Sequence, residues 1–253
     1  MELNKVRGVV TGAGRGLGFT FTVELLRAGA SIVAGDSSEP RLSRLEDAAA
    51  ALPGSLATHA LDVANEASVS EFVTFSAHHL DGINLLVNNA GILRDGVVAS
   101  PEDGWIKTLP TVQWRQVLDV NLTGPFLMTR EVLRDVFKRR ASPAVIVNIS
   151  SVTRSGNVGQ SNYSASKAGL DALTRTLALE LAPFNIRVGG IAPGVIDTPI
   201  LEGISADALQ RLTASIPLGR VGKPLDIWLA LRFIIECDYF TGRILEVDGG
   251  SAF

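Results

Sequence analysis

Short apolar runs alternate with longer stretches of helical period from the first residues almost to the last. Residues 8–10, 31–35, 85–87, 144–149, 187–191 and 244–247 read as the clearest strands. Several are apolar without alternation, the pattern of strands covered on both faces. Between them, residues 19–28, 67–80, 113–139 and 163–181 repeat apolar side chains at helical spacing. Alternation of this kind means βαβ units, which assemble into a parallel sheet with helices on both sides. The expected fold class is α/β, a doubly wound parallel sheet. No linker, repeat or composition break divides the chain, so residues 1–253 are read as a single domain. Two regions leave the rhythm. Residues 92–111 predict a loop or small hairpin with Asp103-Gly104 as its turn. Residues 195–220 mix short helical periods with Gly and Pro, the character of a lid beside a binding cleft.

Composition narrows the picture. With 46% apolar residues the chain can bury a sizeable core. Only 19% of residues are charged and the net charge is −3, which argues against a nucleic-acid surface. No apolar segment approaches the roughly 18 residues of a membrane span. The opening residues lead into a strand-like run, so the expectation is a soluble cytoplasmic protein without a signal peptide. The single Cys237 sits in an apolar run and is expected as a buried free thiol. His59, His78 and His79 fall outside every motif, and no Cys/His spacing points to a metal.

Thr11-Gly12-Ala13-Gly14-Arg15-Gly16-Leu17-Gly18 joins the first strand to the first helix. Glycines there allow a tight turn and close approach of the backbone to a pyrophosphate, whose charge a helix N-terminus favours. The spacing Gly12-xxx-Gly16-x-Gly18 differs from the commonest dinucleotide fingerprint and also suits a plain strand-to-helix turn, but its strand–turn–helix context points to a Rossmann-type dinucleotide site. Asp36 ends the second strand, where a carboxylate accepts hydrogen bonds from ribose hydroxyls and repels a 2′-phosphate. It favours NAD(H), while Arg15 in the glycine loop keeps NADP(H) open. Asp62-Val63 and Asn88-Asn89-Ala90-Gly91 follow strand ends on the ligand side of such a sheet. Asp62 is a candidate partner of the adenine amine, and Asn89 a brace between strand ends. Tyr163 and Lys167 stand four apart in a helical stretch, so they share a face. A neighbouring ammonium favours a phenolate, and the pair predicts a phenol with lowered pKa, fit for proton transfer. The same spacing also suits a solvated surface pair.

Together with Asn121 in Asp119-Val120-Asn121-Leu122-Thr123-Gly124, Asn148-Ile149-Ser150-Ser151 and Pro193-Gly194, these segments resemble the short-chain dehydrogenase/reductase family along nearly the whole chain. Residues 89–96 and 238–250 resemble its 3-oxoacyl-[acyl-carrier-protein] reductase branch. The resemblance implies reduction of a 3-oxoacyl thioester, or action on another secondary alcohol, sugar or steroid at the same site. It implies a tetrad of Asn121, a serine, Tyr163 and Lys167. Tyr163 would donate the proton, Lys167 would lower its pKa and hold the nicotinamide ribose, and the serine would bond the carbonyl oxygen. Asn121, at a helix irregularity, would hold a water that links Lys167 to solvent. Pro193-Gly194 would lead a segment around the nicotinamide, with Ile196 and Thr198 near its carboxamide. Family spacing to Tyr163 selects Ser150; aligning the strand selects Ser151, and Ser151 is the choice made here. The segment after Gly91 is longer than usual, and Gly189 replaces a frequent Asn. Trp105 and Trp114 either line an acyl pocket or pack the extra segment. Arg94, Arg134 and Lys138 are candidates for docking an acidic carrier, and a homotetramer, or at least a dimer, is expected.

Overall fold

Residues 1–102, 104–140, 143–201 and 206–251 are described by the computed structural model. Seven parallel strands make the main sheet: β1 (Arg7–Thr11), β2 (Ser31–Asp36), β3 (Ser55–Ala60), β4 (Leu85–Asn88), β7 (Ala144–Ile149), β8 (Ile186–Pro193) and β9 (Ile244–Val247). Their order is β3-β2-β1-β4-β7-β8-β9. The chain winds outward one way through β2 and β3, then restarts on the other side of β1 at β4. Such a reversal opens a crevice at the C-terminal ends of β1 and β4, where α/β sheets bind ligands.

Burial explains the apolar runs. Val10, Leu85, Val87, Val145 and Val147 pack in one core with Phe21 and Leu25 of helix α1 (Gly16–Arg27), Leu45 of α2 (Glu39–Ala49) and Leu231 of α8 (Pro224–Glu236). Their strand neighbours Val9, Leu86 and Ile146 pack in the other, with Phe72 of α3 (Glu66–His79), Met128 of α5 (Gly124–Arg139) and Ala178 of α6 (Ser161–Leu181). Alternate residues feed opposite faces, so both faces demand apolar side chains. A polar ladder crosses the second core. Asn88, in register with Asn148, donates from Nδ2 to Asn148 Oδ1 (2.9 Å) and to Thr129 Oγ1 (3.3 Å). Asn148 Nδ2 in turn donates to Thr174 Oγ1 (2.8 Å) on α6.

The structure differs from the sequence reading at several elements. β3 was expected only through its end, just before Asp62, and α2 and α8 were not among the named helices. β3 is a half-exposed edge strand of Ser-Leu-Ala-Thr-His-Ala, with no apolar run to mark it. The helix expected over 113–139 is α4 (Thr111–Leu118), a π-helical turn over Asp119–Thr123, and α5. The extra segment forms an antiparallel hairpin of β5 (Ala99–Glu102) and β6 (Trp105–Thr108); Asp103 of its predicted turn lies outside the described residues. Cys237 is half-buried rather than buried, because it caps the end of α8 in an extended conformation instead of facing the core. Gly189 leaves room for an aromatic ring: a Cβ there would meet Phe240 at 2.8 Å. Of the lid expected over 195–220, a short 3-10 turn (Pro199–Leu201) and α7 (Ala206–Ala214) are described, and residues 202–205 lie outside the described residues. Among the described residues, no helix is long and apolar enough to cross a membrane, and no cluster of His, Cys, Asp and Glu is suited to a metal.

Candidate active site

A cleft of about 440 Å³ opens at the β1–β4 switch. Its adenosine end is shaped by the glycine loop. Gly12 has φ +62°, and a Cβ there would lie 2.8 Å from Ala90 Cα, so the turn admits no side chain. A Cβ at Gly18 would collide with the Gly12 carbonyl, which lets α1 start directly against the loop. No side chain caps α1, which leaves its first N–H groups for an anion. Arg15, Gly16 and Leu17 line the cleft beside them. Gly14 sits behind, its N–H donating to Asp36 Oδ2 (3.0 Å).

Asp36 is nearly buried, accepts a second backbone bond from Ser38 N (3.0 Å), and has Arg41 Nη1 at 3.8 Å. Asn89 braces the loop: its Nδ2 donates to the carbonyls of Thr11 (2.9 Å) and Gly12 (3.1 Å). Asp62, Val63, Ala90 and Gly91 complete this wall. Asp62 is exposed and accepts from Ala64 N (3.0 Å). On the opposite side Pro193, Gly194, Ile196 and Thr198 line the cleft. Gly194 has no space for a Cβ against Asp248, and Thr198 Oγ1 donates to Ile196 O (3.3 Å).

The floor is built by α6 and the end of β7. Tyr163 and Lys167 share a face of α6. Burial pushes the Tyr163 phenol up to about 12, partly offset by a hydrogen bond with Ser151, while Asp95 adds to the rise. Burial pulls Lys167 down to about 8, with Asp171 acting against it. The expected lowering of the tyrosine by the lysine is therefore not found. Desolvation outweighs it, since Lys167 Nζ is 5.6 Å from the ring centroid and donates to Ile149 O (2.7 Å). The two serines part company on the extended backbone. Ser151 reaches Tyr163 and also Thr153 Oγ1 (3.0 Å), whereas Ser150 faces Asp171. Asn121, fully buried in the π turn, holds Ile92 at both ends: Oδ1 accepts from its N–H (2.9 Å) and Nδ2 donates to its carbonyl (3.0 Å).

The remaining wall is mixed. Leu93, Leu201 and Leu212 give it apolar surface, and Thr153, Asn157 and Gln160 give it polar surface. Gln160 Nε2 donates to Asp95 Oδ2 (3.0 Å) and Asn157 Nδ2 to Gln160 Oε1 (3.0 Å). Trp105 and Trp114 do not line the cleft. Every residue of β6 is exposed, which turns the hairpin away from it.

A family profile described as "Enoyl-(Acyl carrier protein) reductase" matches residues 12–252. The chain is 38% identical over 245 residues to a 3-oxoacyl-[acyl-carrier-protein] reductase of Thermotoga maritima, covering 96% of each chain. It is 37% identical to one of Aquifex aeolicus, over 96% of this chain and 95% of that one. The chain belongs to the short-chain dehydrogenase/reductase family. A solved short-chain type dehydrogenase/reductase from Mycobacterium marinum superposes with a TM-score of 0.88 at 29% identity, covering 97% of this chain and 94% of that one. Membership makes the protein an oxidoreductase that uses a nicotinamide cofactor, and the glycine cradle suits the pyrophosphate of such a group. Sequence reasoning missed Arg41 and Leu93; Leu201 and Leu212 fall within the expected lid but were not singled out. Only the charged first turn of α2, so soon after Asp36, hinted at Arg41.

Proposed function

We propose that the protein reduces 3-oxoacyl thioesters to 3-hydroxyacyl thioesters, with Asn121, Ser151, Tyr163 and Lys167 as its reaction centre. The observation that carries this reading is that Ser151, Tyr163 and Lys167 line the floor of one cleft beneath an apolar rim. With its pKa raised to about 12, the phenol stays protonated at neutral pH, which is the donor state that ketone reduction needs. The nicotinamide, when bound, supplies the hydride. Ser151 bonds the carbonyl oxygen as negative charge develops there, and Tyr163 gives that oxygen its proton. Lys167 keeps a positive charge beside the phenol as the proton leaves. Asn121 fixes Ile92 and so the strand end that borders the cleft.

The buried carboxylate of Asp36 supports two ribose hydroxyls in preference to a 2′-phosphate, and hence NADH. Arg15 and Arg41 line the same end and would serve NADPH. An acyl-carrier-linked substrate, a cytoplasmic location and a homotetramer complete the reading. Exposed Val112, Phe126 and Leu179 on α4, α5 and α6 support the tetramer. Turnover of 3-oxoacyl thioesters, enoyl thioesters and secondary alcohols, each with NADH and NADPH, tests all of this. The reading expects the 3-oxoacyl thioester with NADH to give the highest kcat/KM. A sugar or steroid alcohol in first place overturns the substrate, and NADPH in first place overturns the cofactor.

A further inference from the structure

Asp171 has no task in the scheme above, yet it is a buried carboxylate two turns beyond Tyr163 and one beyond Lys167 on the same face of α6. Burial raises its pKa, opposed by Ser150, Arg154, Arg175 and Lys167, the polar and charged groups around it. Arg154 is the joint. Its Nε stands 2.8 Å from Asp171 Oδ2, its Nη1 donates to Ser151 O (3.2 Å), and its Nη2 pairs with Glu246 on β9. One guanidinium thus ties the carbonyl of Ser151 to α6 and to the last sheet strand. Among the described residues neither Asp171 oxygen takes a well-aligned hydrogen bond, and the Ser150 hydroxyl that faces it has no other partner.

We propose that Arg154 and Asp171 are a positioning pair for the reaction centre: they clamp the Ser151 turn onto α6 and set a negative charge beneath the Lys167 ammonium. Two features of the site call for such a pair. The Ser151 hydroxyl has a competing partner in Thr153, whose N–H (3.2 Å) and Oγ1 (3.0 Å) both reach it. Only a turn held in place keeps that hydroxyl against Tyr163. Lys167 Nζ is buried against a neutral carbonyl, and Asp171 is the charge that favours its protonated state. Neither residue touches the reacting atoms; both act through Ser151 and Lys167.

The inference rests on the reductase reading, and its test separates the two. Asp171→Asn, Arg154→Gln and the double variant are compared with wild type in the full-length protein. Each single variant is expected to lower kcat about 10- to 100-fold, the effect of a small misplacement of reacting groups, with KM little changed. The double variant should lose no more than the worse single, because the two residues act as a unit. With [ε-13C]lysine labelling, the Lys167 resonance should titrate at lower pH in Asp171→Asn than in wild type. A purely structural Asp171 would not move that titration. Asp171→Asn with wild-type kcat and an unmoved lysine titration overturns the proposal. Should that variant not fold, Arg154→Gln decides, since Arg154 is partly open to solvent; wild-type kcat there overturns the clamp. Wild-type protein that turns over no 3-oxoacyl thioester sinks the reductase reading instead, and the lysine titration still tests the pair.

Discussion

Replacing Lys167 with Met should make the protein more stable at neutral pH while abolishing turnover. In the fold the ammonium is buried, and its pKa falls from the usual 10.5 to about 8. At about 1.4 kcal/mol for each tenfold in proton affinity, keeping the charge inside costs on the order of 3 kcal/mol. The sign follows from which state holds the proton. Below pH 8 both folded and unfolded chains carry it, and the whole cost applies. Between pH 8 and 10.5 the folded chain sheds it first, so the cost fades as pH rises, and above 10.5 it is gone. Methionine removes the cost but leaves the Ile149 carbonyl, now bonded at 2.7 Å, without its donor. A stranded buried acceptor costs about 1–3 kcal/mol. The net gain at pH 7 is on the order of 1 kcal/mol, which for a chain of this size lifts Tm by a few degrees. At pH 10 the same variant should be less stable than wild type, because only the lost hydrogen bond remains. Urea unfolding followed by tryptophan fluorescence at both pH values, on cofactor-free protein, measures the difference. A variant already weaker at pH 7, or a gap that is equal at the two pH values, refutes the assignment of a strained buried ammonium.

Tyr163→Phe should reduce kcat by about 10²- to 10⁴-fold while NADH binding, read by fluorescence titration, stays within about threefold of wild type; near-normal turnover would remove the phenol from the mechanism. Gly12→Ala forces a Cβ into φ +62° and against Ala90. It should cost about 1–3 kcal/mol in stability and weaken dinucleotide binding; calorimetry showing unchanged binding would contradict the cradle. Asp36→Asn should raise the NADPH-to-NADH ratio of kcat/KM about tenfold or more, since it removes a charge that repels a 2′-phosphate. An unchanged ratio would move cofactor choice to Arg15 and Arg41.

Much of this architecture was legible because burial on both faces of the sheet writes itself into the chain as unbroken apolar runs. β7 came out with the bounds it has in the structure, Ala144–Ile149. β3 did not, because an edge strand with half-exposed Thr58 and His59 lacks such a run. The glycine loop, Asp36, Tyr163 and Lys167 were visible since each depends on local spacing. Arg41, Leu212 and the Arg154–Asp171–Glu246 contacts were not, because they exist only where elements distant in sequence converge. The phenol was misjudged for a related reason: spacing on a helix reports the neighbouring ammonium and says nothing of how much water the fold removes. For Trp105 and Trp114 the sequence left an acyl pocket and local packing both open, because the direction in which the extra segment points is not encoded in its composition; neither lines the cleft.

The ladder of Asn88, Asn148 and Thr174 bears on how finely the sheet can be assembled. Apolar strands such as β4 and β7 would pack almost as well slid along one another, and nothing in valine or leucine forbids it. A slip of two residues keeps every side chain on its own face, yet it would strand these amides in a dry core at several kcal/mol. The asparagines therefore act as a vernier, rejecting near-miss alignments that hydrophobicity tolerates. Asn88 ends its strand directly ahead of Asn89, and Asn148 lies one residue before the end of its own, two ahead of Ser150. The alignment they enforce is that of the sheet edge on which the cleft is built.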